Sequence, residues 1–156
     1  DMESRIKDFF QRHRADMETV RELKGFLQMK ETLLEKMGQK LWKRIRSGMK
    51  PHRSFDKPIF KIKKYLHLLE GFQASGQIKG PDTLWGRLQQ AAGLEAKSQR
   101  QVQLEKELRS AFIELANAAM DLHENEGVVY QDLHLEYYDL DKVEQEIRRR
   151  IERRSK

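Results

Sequence analysis

The side chains that could hold a metal ion or move a proton are concentrated in the last third of the chain. His123 and His134 stand close to four carboxylates, and imidazole nitrogen and carboxylate oxygen are ordinary ligands of zinc. The carboxylates are Asp121, Glu124, Asp132 and Glu136. The spacing matches neither HExxH nor the Glu-x-x-His pattern of di-iron helical bundles. We therefore interpret this stretch as a solvated acidic turn and predict no metal site.

Other chemistry is also poorly supported by the residue types. The chain has no Cys, which excludes thiol nucleophiles and Cys-based zinc sites, and its Ser residues do not suggest a Ser/His/Asp triad. Gly71 and Gly76 have the spacing of a phosphate-binding loop, but Gln77 and Ile78 follow where Lys and then Ser or Thr are required. We predict a protein that is not an enzyme, with no catalytic residue, no cofactor and no small-molecule substrate.

Charge is abundant and mixed along the 156 residues. Lys and Arg number 31 against 25 Asp and Glu, a net charge of +6, and charged residues make up 36% of the chain. No run of about 18 apolar residues could span a membrane, and the first ten residues lack the apolar centre of a signal peptide. These features predict an intracellular protein, in the cytoplasm or nucleus.

Two basic clusters support an alternative function, the binding of anionic membrane or of nucleic-acid phosphates. The first cluster interleaves lysines with Phe60 and Tyr65, whose helical spacing is more typical of core positions. The first consists of Arg53, Lys57, Lys61, Lys63 and Lys64, and the second of Arg148, Arg149, Arg150, Arg153 and Arg154.

The elements that must position these residues are helices. The stretch 104–122 has a 4-3-4-3 apolar spacing and further apolar faces, which predicts a helix with several neighbours. We predict an all-α fold, an elongated bundle of about four helices with coiled-coil-like packing in a single domain, 1–156. The predicted helices cover about 2–47, 57–74, 82–124 and 141–154, with Asp141 as a helix cap and 128–140 as either a helix or an extended strap.

The first predicted helix would be about 70 Å long at 1.5 Å per residue, too long for a globule of this mass. Gly25 and Gly38 are candidate points of weakness. The simpler interpretation is an amphipathic helix that packs on its own bundle. The alternative is that its N-terminal half, from Ile6 to Leu27, forms an exposed coiled-coil face for another chain, and we choose the docking edge on that basis. Its partner-binding residues would be Ile6, Phe10, Met17, Val20 and Leu27.

The first 94 residues resemble the coiled-coil segment of the central-channel nucleoporins. The matching stretches are FFQRH, LLEGFQ and the run containing Pro81, Leu84, Gly86, Arg87 and Leu88. The resemblance implies helices that assemble into heteromeric coiled-coil bundles, and it transfers no binding residue. Membrane-curving three-helix domains are also similar in helix length and charge.

From these observations we predict a scaffold or adaptor subunit of a complex. It would bind a protein partner through helical coiled-coil contacts or form a homo-oligomer.

Overall fold

The structure, a computed structural model, describes residues 2–12, 17–74 and 98–155, and these are helical without any β-strand. The all-α prediction is confirmed. The described ranges contain five helices rather than four, joined in two places by short 3-10 turns at Arg53–Phe55 and Gln131–Leu133. The helices are α1 Met2–Arg12, α2 Met17–Arg46, α3 Asp56–Ala74, α4 Gln99–Glu126 and α5 His134–Ser155.

Helices α2 and α4 lie side by side and run in the same direction. Arg109 Nε of α4 donates to Glu35 Oε2 of α2 at 2.7 Å. One turn further along both helices, Gly38 meets the backbone of Phe112. An added Cβ at Gly38 would lie 2.6 Å from the carbonyl carbon of Phe112, so only glycine permits this close approach.

The two remaining long helices lie antiparallel to this central pair, α3 along α4 and α5 along α2. Their direction follows from polar contacts in which the residue number rises on one helix and falls on the other. These contacts are Lys61–Glu114 and Tyr65–Glu107 for α3 against α4, and Arg44–Asp132 and Arg150–Glu22 for α5 against α2.

Two apolar cores hold the bundle together. The main core joins α2, α3 and α4 with the start of α5, and the second core joins α1 with the start of α2 and the end of α5. Buried in the main core are Leu34, Met37, Leu41, Phe55, Ile62, Leu115 and Leu140, among others. Buried in the second core are Met2, Ile6, Phe9, Leu23, Val143, Ile147 and Ile151.

The predicted single helix over 2–47 is two helices that fold back on each other. Met2 and Leu34 line the same cavity, whereas one continuous helix would separate them by about 48 Å. The two helices are α1 and α2, and residues 13–16 between them lie outside the described residues. Helix α2 runs unbroken through Gly25 and Gly38, so neither glycine interrupts the helix.

The last helix begins earlier than predicted. After Gly127, which ends α4 with a φ of 67°, the chain forms the turn Gln131–Leu133 and enters α5 at His134. Asp141 is therefore not a cap: it lies inside α5, where its carboxylate accepts a hydrogen bond from Gln145 Nε2 at 2.9 Å.

Of the predicted helix over 82–124, the described part is α4, Gln99–Glu126, and residues 82–97 lie outside the described residues. Ser98 Oγ accepts a hydrogen bond from the backbone N–H of Gln101 at 3.2 Å and so caps the start of this helix. The residues before Ser98 that carry some of the nucleoporin resemblance, Pro81 to Leu88, lie outside the described residues.

Candidate functional site

The histidines and carboxylates that prompted the question of a metal site have separate structural roles. His123 stacks on Tyr137, with ring centroids 4.7 Å apart, and His134 is exposed. Asp132 Oδ2 lies 2.7 Å from Arg44 Nε, and Glu136 is buried against Lys40. In the ranges 2–12, 17–74 and 98–155, no three residues among His, Cys, Asp and Glu come together in a group that could bind a metal.

Two tyrosines that follow α4 in the chain pack against the main core. Tyr130 and Tyr137 both pack against it, and burial raises the pKa of each phenol. Both side chains therefore remain neutral near pH 7. This region is therefore part of the main core.

The residues of the predicted docking edge, within the first 27 residues, differ in their exposure to solvent. Ile6 is only 3% exposed because it packs in the second core, so its assignment to an exposed surface was wrong. Leu27 is half-buried against the same core, and Val20 is also half-buried. Met17, in contrast, is 77% exposed. The side chain of Phe10 lies outside the described part of the chain.

An open groove of about 560 Å³ lies between α2 and α5, and we call it the α2–α5 groove. Its apolar lining comes mainly from Met29, Leu33 and Val143. Gly25 contributes no side chain, and an added Cβ there would meet nothing within 4 Å. The complete lining is Gly25, Gln28, Met29, Thr32, Leu33, Asp139, Lys142 and Val143.

Exposed apolar side chains extend the walls of this groove. On α5, Leu135 is 67% exposed and stands one turn before Asp139, so it continues the same wall. Tyr138 is 57% exposed, and Lys142 Nζ lies 4.5 Å from its ring centroid. On α2, Met17 stands about three turns before Gln28 and therefore on the same side of the helix.

The sequence did not predict that α5 forms one side of this groove. Leu133, Leu135 and Tyr137 alternate with polar residues, and this alternation is typical of a β-strand. A helical signal was nevertheless present. Leu133, Tyr137 and Leu140 have helical spacing, and all three contribute to the main core. If these three residues form the buried face of the helix, Leu135 and Tyr138 must lie on its opposite, exposed face.

The first basic cluster is only partly available for binding. Lys61 Nζ donates to Glu114 Oε2 at 2.9 Å, and this hydrogen bond raises the pKa of Lys61. Tyr65 is half-buried, and its hydroxyl donates to Glu107 Oε2 at 2.9 Å. Phe60, expected to belong to the core, is instead 69% exposed. Arg53, Lys57, Lys63 and Lys64 are exposed.

In the second basic cluster Arg150 is held against another helix, whereas Arg148, Arg149 and Arg153 are exposed. Arg150 Nε lies 3.0 Å from Glu22 Oε2, its guanidinium carbon lies 4.4 Å from the Phe26 ring centroid, and it also pairs with Glu146. Glu146 Oε1 in addition lies 3.1 Å from Arg149 Nη1. Of the remaining arginines, Arg148 lines the cavity beneath α1, Arg153 is exposed, and the side chain of Arg154 is not among the described ones.

The fold does not bring the two basic clusters together. Lys61 pairs with Glu114 of α4. Because α2 and α4 are parallel and Gly38 lies beside Phe112, Glu114 is at the same height along the bundle as Lys40. Arg150 pairs with Glu22, near the other end of α2. Eighteen residues of α2 separate these levels, which is about 27 Å at 1.5 Å per residue. The two clusters therefore cannot act as one continuous basic surface.

Comparison with known protein families, with characterised proteins and with solved structures gives no match for this chain. The resemblance to the central-channel nucleoporins accordingly stays a prediction. Among the helices described, none combines the length and the apolar character needed to cross a membrane.

Proposed function

We propose that this protein is a non-enzymatic scaffold or adaptor that binds an amphipathic helix of a partner protein in the α2–α5 groove. The observation that carries the proposal is the row of exposed apolar side chains along that groove. Met29 is 52% exposed, Leu135 67% and Tyr138 57%. Exposed apolar surface that is contiguous and rimmed by polar groups is typical of an interaction site.

A helix is the natural occupant because the groove runs between two antiparallel helices. A third helix laid along α2 and α5 would complete a three-helix arrangement and cover Met29, Leu33 and Val143. Full burial of a large apolar side chain stabilises by about 1.5–3 kcal/mol, so burial of the exposed apolar side chains along the groove is the main favourable contribution to binding.

The charges at the rim indicate the chemistry of the partner. Lys142 lines the α5 side, and the exposed Lys36 stands two turns after Met29 on the α2 side. Asp139 is the acidic residue among those that line the groove. A partner helix with one apolar stripe and glutamates beside it would satisfy both lysines.

The test uses a designed helical peptide with Leu at positions i, i+3 and i+7 and flanking Glu residues. Amide chemical shifts of the full chain should change along α2 and α5, with a dissociation constant in the micromolar range. Gly25→Trp should abolish binding, because Gly25 faces open space in the groove and the indole would fill it. Val129→Trp, at a site 46% exposed and outside the groove, is the matched control.

Light scattering coupled to size exclusion distinguishes a foreign helix from a second copy. A monomer at two salt concentrations agrees with a partner from another chain. A salt-insensitive dimer that Gly25→Trp converts to monomer would identify a second copy as the occupant. Peptide-induced shifts confined to other helices, or binding unaffected by Gly25→Trp, would overturn the proposal.

A further inference from the structure

The outward face of α3 presents one aromatic ring surrounded by lysines. Phe60 lies within α3, and its side chain is 69% exposed. Lys57 stands three residues before it, and Lys63 and Lys64 stand three and four residues after it. Residues at these separations are neighbours on a helix surface, so all three ammonium groups can flank the ring.

Two of the lysines on this face remain available to a ligand. Lys61, on the side toward α4, is occupied by Glu114. Among the residues that the structure describes, no carboxylate forms an ion pair with Lys57 or Lys63. The ammonium group of Lys64 lies 5.7 Å from the Tyr65 ring centroid, and after the hydrogen bonds from Gln103 and Tyr65 its charge is a further cause of the lowered pKa of Glu107.

On α3 itself the acidic groups near Phe60 are few, and Glu107 and Glu114 of α4 lie on the side where α3 packs on α4. Asp56 stands at the first turn of α3, where a carboxylate is stabilised by the helix dipole, and Glu70 lies nearly three turns beyond Phe60. Arg53 adds a further exposed cation immediately before the helix. The centre of the face therefore combines positive charge with one projecting apolar group.

We propose that this face of α3 binds the surface of an anionic lipid bilayer. The helix would lie parallel to the membrane while still packed on α4, with the Phe60 ring below the headgroups and Lys57, Lys63 and Lys64 against lipid phosphates. A helix face with lysines around an aromatic residue is the arrangement that interfacial binding requires, because it gains apolar burial and charge attraction together.

Single-stranded nucleic acid fits the same face less well. Stacking of successive bases needs several aromatic platforms along a groove. Among Phe, Tyr and Trp, Phe60 is the one exposed residue on the described part of α3. The neighbouring Tyr65 is half-buried and its hydroxyl is held by Glu107, so it cannot offer a second free ring face.

The first experiment is cosedimentation of the full chain with phosphatidylcholine vesicles, with and without phosphatidylserine. Binding should require phosphatidylserine and weaken as salt is raised. Phe60→Ala should weaken it roughly tenfold through lost apolar burial, and Lys63→Glu with Lys64→Glu should weaken it by at least about tenfold. The matched controls are Tyr138→Ala, which removes an aromatic 57% exposed on α5, and Lys36→Glu with Lys106→Glu, which reverse exposed lysines on α2 and α4.

A labelling experiment reports where the protein touches the membrane. The chain has no Cys, so Phe60→Cys and Tyr138→Cys each accept one environment-sensitive fluorophore. Emission from position 60 should shift to the blue on anionic vesicles, and emission from position 138 should not. Equal loss of binding in the control variants, binding to pure phosphatidylcholine, or a shift only at position 138 would overturn the proposal. Phe60-dependent binding of a 20-nucleotide single strand without vesicle binding would assign the face to nucleic acid instead.

Discussion

Lys40 Nζ of α2 lies 2.5 Å from Glu136 Oε1 of α5, and this ion pair joins the two helices. The glutamate of the pair is buried, and the lysine remains partly exposed to solvent. The Glu136 side chain is 2% exposed, whereas that of Lys40 is 39% exposed. Apart from this ion pair, neither oxygen of Glu136 has a hydrogen-bond donor within the described structure. The carboxylate therefore depends on the lysine for compensation of its lost hydration.

Removing the lysine should be more harmful than removing both charges. Lys40→Met leaves the Glu136 carboxylate buried without a counter-charge, and we expect a loss of about 3 kcal/mol in the free energy of unfolding. The double variant with Glu136→Leu should recover most of that loss, because no charge then remains buried. Urea denaturation of the single and double variants measures this coupling. A Lys40→Met protein as stable as the parent would contradict it.

The two glycines of α2 should respond to alanine in opposite directions. Gly25→Ala should stabilise the protein by about 1 kcal/mol, since the site is open and alanine favours the helix. Gly38→Ala should destabilise it by about 1–3 kcal/mol, because the added Cβ would clash with the backbone of Phe112. Thermal unfolding followed by circular dichroism compares the pair. Stabilisation by both substitutions would mean that α2 and α4 do not approach as closely as described.

Local patterns predicted the helical class, whereas the exceptions depend on neighbours that a sequence does not show. Gly38 interrupts the apolar heptad pattern of the first helix. The reason for a glycine at this position is the backbone of Phe112, which lies too close for a Cβ, and the sequence does not show this neighbour. Phe60 has the spacing of a core residue, yet α3 packs on α4 with a different face. Asp141 and Glu144 form a plausible capping pattern, but the helix already begins at His134, where Leu133 and Leu140 enter the core.

The contact between α3 and α4 should give stability a defined pH window. The hydrogen bond from Tyr65 to Glu107 raises the pKa of the phenol from its usual 10.0. Its stabilisation is therefore complete below about pH 10 and lost as pH rises through the folded-state pKa. Hydrogen bonds from Gln103 and Tyr65 lower the pKa of Glu107 from 4.5, so its contribution is present above that value and lost in acid.

Tyr65→Phe isolates this contribution. The melting temperature of the variant should lie below that of the parent between about pH 5 and 10, and the two curves should converge at both extremes. The measurement is thermal unfolding of both proteins across that range. A difference that stays constant from acid to alkali would indicate altered packing of the ring and not the loss of a titrating hydrogen bond.

Ile6 and Met17, which share one predicted docking edge, should behave differently. Ile6→Ala removes a side chain buried in the second core, to which Leu23 and Ile147 also belong, and we expect a loss of about 2–4 kcal/mol in the free energy of unfolding. Met17→Ala alters a side chain that is 77% exposed and should change stability by no more than about 0.5 kcal/mol. Urea denaturation of both variants tests this directly. Equal and small effects would show that α1 is not held against α5, and would return Ile6 to the surface as a residue available to a partner.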